Sequence, residues 1–278
     1  MTDPQFTGER CVPGKSPADN FFQSVERYRF AVSRLGSAAL VLDAACGTGL
    51  GSTLLSGNAA NVIGLDIDQG ALTFAVHRYG TYRRPPSFCR GDLENLPLVS
   101  NSVDALVAFE AIEHLRHPNR FVAEAHRVLS RNGILIISTP AAEAEQFKDN
   151  PFHLSIFTIE ELTALLSPYF EVASCSYQGT VSPSTLRSLR IKFQIRKPLR
   201  RLHLMNAARA ARARFQTYAR LNSDLPHEPD LNDMTRSSPW AVRSLDSLPP
   251  THLPHVIVFE CRRHNSNPSP TSEAPSRH

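Results

Sequence analysis

The stretch Val41-Leu42-Asp43-Ala44-Ala45-Cys46-Gly47-Thr48-Gly49 decides the reading of this chain. Ala39 to Leu42 is a short apolar run, and Asp43 closes it. The turn that follows is built from small residues, and Leu50 to Leu55 resumes as a helix. A buried strand, a glycine-bearing turn and a helix form the opening unit of an open α/β sheet, which binds ligands at the carboxyl ends of its strands. Small residues at the turn let the backbone come close to a ligand and take positive φ where needed.

Outward from this unit, strands and helices alternate. Asn61 to Asp66 is a second strand ending in an acid, and Gln69 to Tyr79 a helix with Leu72, Ala75, Val76 and Tyr79 on one face. Ser87 to Asp92 and Val103 to Phe109 are the third and fourth strands. Pro118 to Leu129 is a helix, with Asn132-Gly133 expected to end it. Gly133 to Pro140 is a fifth strand, apolar on both faces; Thr158 and Glu161 open a helix with a capping box; Phe170 to Ser176 is a sixth strand. Before them, apolar residues from Phe21 to Leu35 recur at helical spacing. His255 to Cys261 is a late seventh strand, so residues 181–250 are expected as an insertion.

The fold expected is therefore α/β: a Rossmann-like sheet of six parallel strands and an antiparallel seventh, helices on both faces, and a helical insertion before the last strand. The parts are an irregular arm at 1–20, a main domain at 21–180 and 251–263, a basic helical insertion at 181–250, and a Ser- and Pro-rich tail at 264–278 expected to be disordered.

Composition narrows the partners. Eleven of the 30 Lys and Arg lie in 181–220, which holds no Asp or Glu, so acids outnumber bases over the rest of the chain. A basic amphipathic segment of this kind reads first as a solvated helical insertion covering the substrate mouth, next as a surface for an anionic membrane or a lipid-linked substrate, and last as a nucleic-acid surface. It lacks the interleaved aromatics of a single-strand nucleic-acid binder. The five cysteines, Cys11, Cys46, Cys89, Cys175 and Cys261, form no CxxC pair, so neither a disulfide framework nor a metal site is expected. No apolar run approaches a membrane span, and Met1 to Gln5 has no features of a secretory signal; a cytoplasmic setting, with peripheral membrane contact through 181–220, is expected.

A glycine turn alone serves two cofactor families. The dinucleotide pattern asks for a third small residue at the position of Ser52, and a carboxylate at Asp43 would repel a pyrophosphate. An acid there suits a cationic amino group instead. With those residues in view, Asp43 to Gly49 resembles the first motif of class I S-adenosylmethionine-dependent methyltransferases, with Ala45 in place of the usual first glycine. The resemblance covers about residues 37–177. It implies that Ala45, Gly47 and Gly49 cradle the cofactor, that Asp66 accepts from the ribose hydroxyls, and that Asp92 accepts from the adenine amino group between Ile67 and Leu93. It implies too that Glu110, in Phe109-Glu110-Ala111-Ile112-Glu113-His114-Leu115, faces the methionine end, and that Tyr28 and Arg27 close over its carboxylate.

A narrower likeness sits at the flanks. Thr7 to Gly14, Glu26 to Ala31 and Asn150-Pro151-Phe152-His153 resemble small methyltransferases found beside glycosyltransferases in bacterial cell-surface polysaccharide pathways. That implies methyl transfer to an oxygen or nitrogen of a small-molecule or saccharide acceptor. His114 and His153 are the expected catalytic residues, because an imidazole can take a proton near neutral pH. The competing readings are a catalytically silent S-adenosylmethionine-binding scaffold and a nicotinamide-dependent oxidoreductase; Ser52 and Asp43 disfavour the latter.

Overall fold

A computed structural model of the chain describes residues 11–12, 16–145, 150, 152–191, 238 and 240–264. Most of the N-terminal arm, the basic stretch from 192 onward and the tail from 265 lie outside the described residues.

Neighbouring residues of the central strands face opposite ways, and both ways are apolar. Leu42, Leu106, Leu135, Ile137, Ile257 and Phe259 pack on one side with Phe121, Val122, Ala125, Leu162 and Leu166. Val41, Val107, Ile136 and Val258 pack on the other with Phe21, Val25, Leu50, Leu54 and Leu55. A period-two pattern that is apolar at every position is what a sheet covered on both faces requires.

The strands are β1 (Leu40–Ala44), β2 (Asn61–Asp66), β3 (Ser87–Arg90), β4 (Val103–Phe109), β5 (Leu129–Pro140), β6 (Phe170–Val181), β7 (Arg243–Ser244) and β8 (Leu253–Arg263). The helices are α1 (Ala18–Arg34), α2 (Leu50–Ser56), α3 (Gln69–Tyr79), α4 (Pro118–Val128), α5 (Ala142–Glu145) and α6 (Ile159–Leu166). Sheet order is β3-β2-β1-β4-β5-β8-β6-β7. The chain steps outward from β1 through β2 to β3, then returns to β1's other side with β4, so the strand order reverses beside β1. A crevice at such a reversal is where open sheets bind ligands. β8 runs antiparallel between β5 and β6, as expected for the late strand beside six parallel ones, and the short β7 adds a second antiparallel strand at the β6 edge, making eight in all.

Three boundaries differ from the sequence reading. α4 ends at Val128, and Leu129 already has an extended backbone (ψ 142°) and pairs with Val103, so Asn132-Gly133 lies inside β5 and caps no helix. β6 runs on to Val181 because β8 pairs with it as far as Leu253. Residues 243–244, inside the expected insertion, pair with β6 as a short edge strand, while residues 183–191 are helical as expected. Thr158 does form its capping box with Glu161. No helix among the described residues is long and apolar enough to cross a membrane.

Candidate active site

The cleft lies over the carboxyl ends of β1, β2, β3 and β4 and has a volume of about 1130 Å³. Single drug-sized ligands occupy roughly 300–1,000 Å³, so this space exceeds what one small molecule fills.

The turn after β1 forms its floor. Ala45, Gly47 and Gly49 have φ of 63°, 54° and 82°. The left-handed conformation at alternate residues lets the backbone fold back under the cleft, and Ala45 bears a Cβ penalty that the glycines escape. Cys46 N–H donates to Leu65 O (2.9 Å), which ties the turn to β2. Gly47 N–H donates to the Asp66 carboxylate (2.9 Å), and Asp68 N–H donates to its other oxygen (2.9 Å). Asp66 is thus a largely buried anion on the cleft wall, aimed by two backbone amides. Asp68 caps α3 and Asp104 accepts from the amides of Ala39 and Leu40, so both are structural acids.

Asp43 takes a different place from the one its motif position suggests. It is fully buried and lies beneath the cleft wall. Tyr28 Oη donates to one of its oxygens (2.9 Å) and Ser52 Oγ to the other (2.6 Å). Burial pushes its pKa up to about 6, against the two hydroxyls, which lower it, and with Asp66 adding to the rise. Tyr28, whose ring lies against Phe109 at 5.1 Å, therefore has its hydroxyl committed to Asp43, and burial holds its phenol pKa high. Ser52, the residue that broke the dinucleotide pattern, is the second anchor of that acid. Cys46 is likewise buried, and burial with the nearby acids raises its thiol pKa strongly, so it is a packing residue rather than a nucleophile.

Along the rim, Ile67 stands 62% exposed and Asp92 is exposed with its carboxylate accepting from Glu94 N–H (2.9 Å), while Leu93 is buried below them. Arg27 comes from α1, is buried, and donates to Gln178 Oε1 (2.6 Å), so β6 fixes its direction; its Nε has no hydrogen-bond partner.

The far end of the cleft is built after β4. Glu110 has φ of 51°, and Ser138 Oγ donates to its carboxylate (2.8 Å) while its own N–H reaches Ser138 O (3.1 Å). A 3-10 turn over Ile112–His114 follows. The amides of Leu154 and Ser155 both donate to Glu113 O (2.8 and 3.1 Å), strapping the segment after β5 onto this turn. The strap brings the rings of His114 and His153 to 5.0 Å, edge to face. Glu113 is 1% exposed; burial, then the charge of Glu110, pushes its pKa up to about 8, with His153 pulling it down.

Ala45, Gly47, Asp66, Ile67, Asp92, Leu93, Glu110, Tyr28, His114 and His153 all line this one cleft, whereas Asp43 lies behind it and Gly49 caps α2. Sequence reasoning marked Ser52 only as a break in the dinucleotide pattern, and it missed Ser138, Gln178 and the burial of Glu113. Glu113 sat inside the quoted motif, but nothing in the string marks it as buried.

Residues 42–137 match the family described as "Methyltransferase domain". A probable S-adenosylmethionine-dependent methyltransferase of Mycolicibacterium smegmatis is 35% identical over 164 residues, which are 58% of this chain and 62% of that protein. The chain thus spans less than two thirds of that relative's length. A malonyl-[acyl-carrier protein] O-methyltransferase of Laribacter hongkongensis is 36% identical over 110 residues, 36% of this chain and 37% of that one. The solved structure of the YcgJ protein from Bacillus subtilis has the same fold, with a TM-score of 0.55 at 16% identity over 86% of this chain and 98% of that one. With the sheet order, the strained turn after β1 and the acids at the strand ends, these matches show that residues 42–137 resemble a methyltransferase domain and that the chain is similar, over part of its length, to S-adenosylmethionine-dependent methyltransferases.

Proposed function

We propose that the chain transfers a methyl group from S-adenosylmethionine to an oxygen, or alternatively a nitrogen, of a small-molecule or saccharide acceptor. The observation that carries this is the charge of the cleft: Asp66, Asp68, Asp92, Glu94 and Glu110 line it, together with the buried Glu113, with Arg27 and Arg116 the only Lys or Arg among its described lining residues. A phosphate-bearing cofactor would meet an excess of acids there. A ligand with an ammonium and a sulfonium meets complementary charge, and the Arg27 Nε–H, buried without a partner, fits a single carboxylate.

In this reading the turn from Ala45 to Gly49 supports the donor from below. Asp66, rigid because two amides hold it, accepts from a vicinal diol, which a carboxylate can do with two oxygens. Ile67 and Leu93 flank an aromatic ring whose amino group donates to Asp92. Arg27 takes the carboxylate, and Glu110, pinned by Ser138, faces the ammonium. Tyr28 contributes by packing and by holding Asp43 rather than by touching the carboxylate of the donor. When bound, S-adenosylmethionine supplies an electrophilic methyl on sulfur; the protein's part is alignment and exclusion of water. Glu113, His114 and His153 form the polar end that receives the acceptor and eases the loss of its proton.

An oxygen acceptor is favoured by the O-methyltransferase relative and by this imidazole-lined end, since a hydroxyl needs help in losing its proton and an amine much less. A cytoplasmic setting, with residues 181–220 resting on anionic lipid near a lipid-linked acceptor, completes the reading.

Calorimetry with S-adenosylhomocysteine and with NAD tests it. One-to-one binding of S-adenosylhomocysteine, none of NAD, and loss of binding in Asp66→Ala are expected. No binding of S-adenosylhomocysteine by the intact chain would overturn the reading. Labelled-methyl transfer into cell-envelope extracts then identifies the acceptor.

A further inference from the structure

We propose that Glu113, His114 and His153 bind one divalent transition-metal ion, of the zinc or manganese kind, at the acceptor end of the cleft. The inference rests on the methyltransferase reading and adds to it the means by which an acceptor hydroxyl is held and activated.

The three side chains each offer a ligand atom, and these atoms all lie within 4.8 Å of one another. Ligands at about 2.0–2.2 Å from one ion sit roughly 3–4 Å apart, so a small inward movement of two imidazoles and a carboxylate closes the set. Among the described residues this is the one trio of metal-ligating side chains so arranged.

The second observation is a buried oxygen with nothing to bond. Glu113 is 1% exposed; Thr139 Oγ1 donates to its Oε2 (3.1 Å), and its Oε1 has no hydrogen-bond partner. Native structures satisfy buried polar atoms in the great majority of cases, and an orphan carboxylate oxygen calls for a proton or a cation.

The third observation is the orientation of His114. Its Nδ1 lies 2.9 Å from Phe152 O. A carbonyl only accepts, so the proton belongs on Nδ1 and the lone pair on Nε2. A ligating histidine characteristically has its other nitrogen donating to a backbone carbonyl, which fixes tautomer and ring direction. Thr139 does the equivalent for Glu113. The site therefore has ligands and the supporting hydrogen bonds that aim them.

Two nitrogens and one oxygen favour a borderline ion over calcium or magnesium, and three protein ligands leave positions open, the mark of a catalytic rather than a structural site. An acceptor hydroxyl in an open position would be polarised and would lose its proton more readily. The proton leaves to water, an O–C bond forms as the C–S bond of the donor breaks, and sulfur keeps the electron pair. The imidazoles then act as ligands rather than as proton acceptors.

The test uses the full chain stripped with a chelator, titrated with Zn²⁺ or Mn²⁺ alone by calorimetry, with Mn²⁺ spin resonance as a second readout and S-adenosylhomocysteine binding measured on the same samples. One ion per chain is expected. His114→Ala and His153→Ala should each weaken it more than tenfold, and Thr139→Val should weaken it about tenfold. Retained S-adenosylhomocysteine binding shows that each variant is folded. No saturable binding at millimolar metal, or binding unaltered in the two histidine variants, overturns the proposal. If the intact chain binds S-adenosylhomocysteine but no metal, only the metal proposal fails; metal binding without S-adenosylhomocysteine sinks the methyltransferase reading instead.

Discussion

Replacing Asp43 by Asn should stabilise the free protein while weakening its grip on the donor. The carboxyl is fully buried, and burial raises its pKa from 3.8 to about 6. The folded chain therefore holds a proton between pH 3.8 and 6 that the unfolded chain has released. Stability is highest below that window and falls as pH rises through it, until the carboxylate is ionised in both states. At pH 8 the folded protein carries the whole penalty, about 3 kcal/mol at 1.36 kcal/mol per pKa unit. Asn has nearly the same shape and no charge to desolvate. It can accept from one of Tyr28 and Ser52 and donate to the other, whose hydroxyl has only to rotate. Allowing for the poorer of those two bonds, a net gain of about 2 kcal/mol is expected at pH 8, with Tm higher by about 4–8 °C. Urea unfolding at pH 8 and at pH 4 measures it: the advantage of the Asp43→Asn variant should shrink to near zero at pH 4. Calorimetry should show S-adenosylhomocysteine bound roughly tenfold or more weakly, because the charge beneath the turn is gone. If the Asp43→Asn variant is less stable than the parent chain at pH 8, or the difference is the same at both pH values, the carboxylate is not a buried ionised group and the argument fails.

Two other substitutions probe the same floor. In Gly51→Ala the new Cβ would overlap the Tyr28 ring. The ring must move and its hydrogen bond to Asp43 must break, so urea unfolding should register about 2 kcal/mol or more of lost stability. Ala45→Gly removes a Cβ from a residue at φ 63°, a gain of about 1–2 kcal/mol that the looser unfolded chain offsets by about 0.4–1 kcal/mol; near-neutral or slightly improved stability is expected, and a loss above about 1 kcal/mol in the same assay would refute the strained-turn account.

Much of the scaffold was legible because each signal was local. β1, β2 and β4 are apolar runs closed by Asp43, Asp66 and Glu110, and the turn from Ala45 to Gly49 announces itself in small residues. Thr158 and Glu161 stand three apart, which is all a capping box needs. What failed locally failed for want of a partner. Asn132-Gly133 has the composition of a helix stop, yet pairing of Leu129 with Val103 draws the chain into β5 before it gets there. Asp43 has the position of a ligand-facing acid, yet Tyr28, fifteen residues earlier, closes over it from α1. Neither pairing can be read from the residues around one of its members alone.

The same distinction separates the two ends of the cleft. The donor end is made of turns that each follow directly from a strand, so its residues are fixed as soon as the strands are, and any chain with this sheet can carry it. The acceptor end exists only because the segment around Asn150–Ser155 folds back onto Glu113. That segment leaves the sheet after β5 and is pinned on its far side, where Ala141 bridges Phe157 and Ala142 N–H donates to Phe157 O (3.0 Å). An excursion anchored at both ends of its base can change in length and content without disturbing a single strand pairing. His153 belongs to the excursion; Glu113, His114 and Thr139 belong to the frame. On the proposed reading, a chain of this fold could therefore keep its donor chemistry intact and alter what it methylates by changing the segment around Asn150–Ser155 alone.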